Sequence, residues 1–111
     1  QANSIKLASD SKYRSDASLL ANRYIGEMWL ASSSVSFVAD YSTGGTQYLD
    51  WVNSGVSAAL PIVGVSAPSV TIAQSGVAGA STVSNTITID IFWQAPGETS
   101  HHYNTVTQIA N

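Results

Sequence analysis

His101 and His102 stand side by side near the end of the chain, and with Asp50, Asp90 and many serines they are the groups that could do chemistry. A metal site needs ligands that converge on one point. The residues after this pair read as a strand, where neighbouring side chains point to opposite faces, so both histidines are expected at the surface beside a hairpin loop. A Ser-His-Asp set can be written down from these residue types. No G-x-S-x-G elbow accompanies it, and in so Ser-rich a chain the coincidence has no weight. Gly44-Gly45 lacks the spacing of a phosphate-binding loop and reads as a turn. The chain contains no Cys, which excludes disulfides, thiolate metal sites and cysteine nucleophiles. No catalysis, metal or cofactor is expected.

Charge narrows the partners. Four cations (Lys6, Lys12, Arg14, Arg23) face seven carboxylates for a net charge of -3, and nothing after Arg23 is basic. No basic patch can be assembled, so nucleic acid is not an expected partner. Charged residues make up only 10% of the chain, well below the usual quarter, so Ser, Thr, Asn and Gln must cover the surface. That composition is common in secreted and surface-exposed bacterial proteins. At 111 residues, 44% of them hydrophobic, residues 1–111 fit one domain with a real core.

The elements follow from periodicity. From Ser9 to Ala31, apolar residues at Tyr13, Ala17, Leu20, Ala21, Tyr24, Met28 and Ala31 fall on one helical stripe. Asp10, Lys12, Arg14, Asp16, Arg23 and Glu27 lie mostly off it, and Asp10 and Arg14 are spaced for an i,i+4 pair. Ser32 to Ser34 end the helix. The Met28-Trp29 pair is expected to pack one residue on the sheet and to cover the helix end with the other. Val35 to Tyr48 reads as irregular. A shorter helix is predicted over Tyr48 to Leu60, with Asp50 near its N-terminus, Pro61 just beyond it, and Gly55 weakening it by about 1 kcal/mol.

Ser69 to Gln74 reads as a first strand, pairing on an edge that the sequence leaves open, and Ser75 to Asn85 as a loop. Thr86 to Gln94 gives the clearest signal. Ile87, Ile89, Ile91 and Trp93 alternate with Thr88, Asp90, Phe92 and Gln94, which puts the first four on a buried face and Asp90 toward solvent. Ala95 to Ser100 form a hairpin loop, and His102 to Ile109 return as a strand whose bulkier face is Tyr103, Thr105, Thr107 and Ile109. The fold class is therefore α+β: one long N-terminal helix packed on a small antiparallel sheet, with a short second helix between them.

No run of 18 apolar residues is present. The chain opens on Gln1, and the helical pattern is already under way at Ile5 and Ala8. The expected reading is the soluble part of a longer protein, cut inside or just before its first helix. Residues 4–31 would form a helix about 40 Å long, enough to project past a domain of this size.

Four strings carry a resemblance to minor pilins of the PilV type, within the type IV pilin-like superfamily. They are RSDASLLANRYIGEMWLASS (Arg14 to Ser33), LDWVNSGVSAALP (Leu49 to Pro61), ITIDIFWQAPGE (Ile87 to Glu98) and HHYNTVTQI (His101 to Ile109). In order they are similar to the segment after the membrane-embedded half-helix, a Trp-led helix ending in Ala-Leu-Pro, a penultimate strand ending in Trp, and a Thr-rich last strand. Together they are spread along the chain from Arg14 to Ile109 and hold 54 of its 111 residues. The leader, cleavage site, near-terminal glutamate and apolar half-helix of the family are not in this sequence.

The resemblance implies a pilin-like fold, with residues 4–31 as the C-terminal half of the long helix. It implies a structural role: a minor type IV pilin that helps prime pilus assembly and lies in the fibre or at its tip, without catalysis. The precursor would be cleaved and methylated, reside in the bacterial inner membrane and periplasm, and then enter the extracellular fibre. Its partners would be other minor and major pilins and inner-membrane assembly proteins, with membrane contact only through the missing half-helix. Alternatives are an adhesive module that binds a host surface, or a minor pseudopilin of a type II secretion system. The lack of Cys, unlike many major pilins, favours a minor pilin or a pseudopilin. Residues facing outward on the helix, Lys12, Arg14, Arg23, Glu27 and Trp29 among them, and the loops Ser32 to Gln47 and Gly76 to Asn85 are the expected subunit contacts. Tyr13, Leu20, Tyr24, Met28, Ile87, Ile89, Ile91 and Trp93 are the expected core.

Overall fold

A computed structural model describes residues 2–75 and 84–110, with side chains of the first helix from residue 11 onward. The elements are α1 (Ala2–Ala31), α2 (Phe37–Tyr41), α3 (Thr46–Trp51), a π-helical turn (Val52–Val56), α4 (Ser57–Ala59), β1 (Ser69–Ser75), β2 (Ser84–Trp93) and β3 (His101–Ala110). The architecture is α+β, with α1 laid on one face of a three-stranded antiparallel sheet of order β1-β2-β3. The 30 residues of α1 span about 45 Å. This helix sets the length of a molecule that measures 57 × 21 × 18 Å.

The alternation read along β2 is fully realised: Ile87, Ile89, Ile91 and Trp93 have no solvent exposure. Ala17, Leu20, Ala21, Tyr24 and Met28 of α1 share their core with Ile109 of β3. Each fully buried aliphatic side chain contributes on the order of 1.5–3 kcal/mol. Tyr13, expected in the core, is only half-buried and packs at its rim. It stands a full turn before Ala17, the first buried residue among the described side chains. Met28 is buried as expected. Trp29 does not cover the helix end: it stands 52% exposed, because one step along a helix turns a side chain by about 100° off the core stripe.

The segment Val35 to Tyr48, expected to be irregular, holds α2. Five residues are too few to show a period, and such a helix forms only because packing supports it. Phe37 and Tyr41, one turn apart, are both buried, and the Ser36 hydroxyl donates to the Asp40 carboxylate at 2.9 Å. The turn that follows is built on its glycines. Gly44 has φ +90°, and a side chain on Gly45 would run into the backbone carbonyls of Ala39 and Asp40.

The second helical run starts at Thr46, two residues before the expected Tyr48. That start places Asp50 beyond the first turn, so Asp50 is not the N-terminal anion foreseen. The widened turn has a packing reason. Trp51 Nε1 donates to the Leu20 carbonyl at 3.2 Å, and a Cβ on Gly55 would sit 3.0 Å from a Leu20 methyl. Glycine there lets the helix approach α1 closely, which offsets its poor helix propensity.

An aromatic cluster joins these pieces. The Tyr24 ring stacks on Trp51 at 4.4 Å and 11°, and lies 5.4 Å from Tyr41, which in turn lies 5.4 Å from Phe37. The Tyr24 hydroxyl donates to the Tyr41 carbonyl at 2.8 Å, and the Tyr48 hydroxyl donates to the Pro68 carbonyl at 2.6 Å. Burial, which disfavours the charged phenolate, pushes the ionisation of Tyr24, Tyr41 and Tyr48 above its ordinary value, most strongly for Tyr24.

The unfolded chain gives up these protons near pH 10, while the folded chain keeps them to higher pH. Above about pH 10 the unfolded state therefore binds fewer protons, and stability falls as pH rises. The urea midpoint is expected to hold steady from neutral pH to about pH 9 and to drop by pH 11. A midpoint unchanged at pH 11 would contradict this burial.

The two outer edges of the sheet differ. The β1 edge is met at Val70 by Thr43: its amide donates to the Val70 carbonyl at 3.1 Å, and its hydroxyl accepts from the Val70 amide at 2.8 Å. Ser75, Ser84 and Asn85, expected in a loop, lie in strands β1 and β2. The rest of that loop, 76–83, lies outside the described residues, as does its place among the expected subunit contacts.

Candidate interaction surface

The back of α1, opposite the core stripe, carries an uncharged strip. Ser15, Leu19, Asn22, Gly26 and Leu30 recur at helical spacing on this side, with Trp29 beside them. Leu19 is 58% exposed and Leu30 88% exposed. Gly26 faces open space, with nothing within 4 Å of the position its Cβ would take. A mid-helix glycine costs about 1 kcal/mol relative to alanine, and among the described residues no contact requires this one.

One flank of the strip is charged. Lys12 donates to Asp16 at 2.8 Å across one turn, and this contact raises the ionisation of the Lys12 ammonium above its usual value. The pair that forms is Lys12–Asp16, whereas the foreseen partner of Arg14, Asp10, has its side chain outside the described set. Arg23 and Glu27 line a polar crevice of about 140 Å³ together with Leu20, Asp50, Trp51, Ser54 and Gly55. One guanidinium, two carboxylates and a hydroxyl suit the polar side chains of a protein partner.

Arg14 is engaged inside the chain. Its guanidinium lies 5.4 Å from the centre of the Trp93 ring and donates to the His102 carbonyl at 3.3 Å, tying α1 to β3. The five expected contact residues thus divide. Arg23 and Glu27 open onto the crevice, Lys12 pairs along the helix, Trp29 faces solvent, and Arg14 serves the fold. Leu19 and Leu30 fall within the outward helix face expected as a contact but were not singled out, although both are large apolar residues off the core stripe.

The groups considered for chemistry are kept apart. His101 stacks on Trp93 at 6.0 Å, whereas His102, on the opposite face of β3, lies 5.9 Å from Phe92. Asp90 is on the face away from α1, where its carboxylate accepts from the Asn104 amide at 2.9 Å. Among the described residues no three His, Cys, Asp or Glu side chains gather where they could hold a metal ion. A shallow apolar depression of about 410 Å³ is lined by Pro61, Val63, Gln94, Ala95, Pro96 and Gly97, with no charged group in it.

The chain is thus an α+β domain whose long helix exposes Leu19, Trp29 and Leu30, while Val35, Leu49, Val63 and Val106 are exposed elsewhere. Comparison with protein-family models, with curated proteins and with solved structures returns no match. No described helix is long and apolar enough to cross a membrane.

Proposed function

We propose that this chain is a structural subunit of a helix-bundled fibre, a minor pilin of the type IV kind, which helps prime assembly and performs no catalysis. The observation that supports this reading is α1 itself. At about 45 Å it outruns the ten-residue strands it packs on, about 34 Å long, and its back presents Leu19, Gly26, Trp29 and Leu30 rather than a fully polar face.

In such a fibre one side of α1 holds its own sheet while the other meets helices of neighbouring subunits. Gly26 permits close approach of a neighbouring backbone, and Leu19, Leu30 and Trp29 supply the area buried around it. Arg23 and Glu27, at the mouth of the crevice, fix register through charge. The proposal places the protein in a bacterial inner membrane before assembly and in an extracellular fibre afterwards, with other pilins as partners.

Titration calorimetry of the chain against candidate sister pilins tests this. Saturable binding that weakens in Arg23→Glu supports it. Binding to a host-surface ligand but to no pilin would make the domain an adhesive module instead.

A further inference from the structure

The sheet contains a second surface that does not depend on the fibre reading. Backbone direction along β3 is fixed by register. The amide and carbonyl of Val70 point outward to Thr43, so Ser69 and Thr71 bond across to Asp90 and Thr88. The odd residues of β2 then bond to the odd residues of β3, through a continuous register without a bulge. His102, Asn104, Val106, Gln108 and Ala110 must therefore direct their amides and carbonyls to the open edge. The His102 carbonyl agrees, since it accepts from Arg14 rather than from β2. Among the described residues nothing else bonds the outward backbone of Asn104, Val106 or Gln108.

Natural edge strands are blunted by charge, proline, bulges or a covering loop. On the β1 edge Thr43 bonds the outward backbone of Val70, at one end of the strand. The β3 edge, ten residues long, has no charged residue, no proline and no bulge. We propose that the free edge of β3 is a self-pairing surface, through which two copies of this chain join antiparallel into one continuous six-stranded sheet.

A second copy fits for two reasons. In a chain of net charge -3, β3 itself carries no carboxylate, and Asp90 of β2, which accepts from Asn104, stands one strand back from the edge. The strand also matches itself about Val106. A two-fold axis there puts Asn104 opposite Gln108 of the second copy, and Val106 opposite Val106, on the open face. On the helix face it puts Thr105 opposite Thr107, and Tyr103 opposite Ile109. Thr–Thr and aromatic–β-branched pairs are favourable cross-strand neighbours, and the Val106 pair covers exposed apolar surface of both copies. The register joins the outward backbone groups in about ten hydrogen bonds, and the His102 carbonyl has a lone pair to spare beside Arg14. Both copies of α1 then lie on the same face of the joined sheet.

Sedimentation equilibrium of the chain from about 10 μM to 1 mM covers the range in which a small interface forms. The expected result is an average mass that climbs toward twice the monomer mass. Val106→Lys sets two cations on the axis, and Val106→Pro removes an outward amide while sparing the bonds to β2. Both variants should stay monomeric, with circular dichroism like the parent. Mixing an Asn104→Cys chain with a Gln108→Cys chain in a thiol-exchange buffer tests the register, because the chain has no other Cys. The mixed disulfide should exceed either symmetric one about tenfold. A parent that stays monomeric, a dimer that survives both Val106 variants, or a statistical mix of disulfides would each overturn the proposal. None of these results bears on binding to sister pilins.

Discussion

Tyr24→Ala is expected to leave the chain largely unfolded at physiological temperature. Tyr24 has no solvent exposure, and its ring is the point where α1, α2 and the second helical run meet. Truncating a buried aromatic to alanine costs about 3–5 kcal/mol. A domain of this size has a total stability toward the lower end of about 5–15 kcal/mol. The loss reaches further than the cavity, because α2 and α3 are short helices that stand only by packing. Urea unfolding followed by circular dichroism checks this. Tyr24→Phe keeps the ring and gives up only the bond to the Tyr41 carbonyl, for a loss of about 1 kcal/mol. Alanine and phenylalanine variants with similar midpoints would mean that the aromatic cluster does not hold the helices together.

The second large effect falls on assembly and spares the fold. Leu19 and Leu30 are exposed on α1, so Leu19→Lys combined with Leu30→Lys should change stability by no more than about 0.5 kcal/mol per site. If the back of α1 is the subunit contact, the same pair of changes buries two cations in an apolar seam. Affinity for sister pilins is then expected to fall about a hundredfold or more, the effect of losing buried interface anchors. Parent-like affinity in the doubly substituted chain would remove this face from the interface. Arg14 is a poor probe by comparison, because changing it also releases Trp93 and the His102 carbonyl.

These two sites show what the sequence could tell. The core stripe of α1 and the alternation along β2 were legible because their periods run unbroken through long elements. Helix α2 was not, since a single i,i+4 pair, Phe37 and Tyr41, is no period at all. The wide turn at Val52–Val56 sets Gly55 against Leu20, residues far apart in sequence. Strand order was open because β1 has only Val70 fully buried, too little pattern to choose an edge. At the contact surface, Arg23 and Glu27 were readable as off-stripe charges. The fold-back of Arg14 onto β3 was not, because it depends on where the hairpin returns. Leu19 and Leu30 could have been found by asking which large apolar residues the stripe leaves out.

The measurement that bears most directly on the fibre role is the mass and N-terminal sequence of the native protein, recovered from a membrane or sheared-fibre fraction. The expected product carries an N-methylated first residue and a long apolar segment that runs into Gln1 and on through α1. A mature protein that starts near Gln1, or that follows an ordinary secretory signal, would contradict a membrane-anchored fibre subunit.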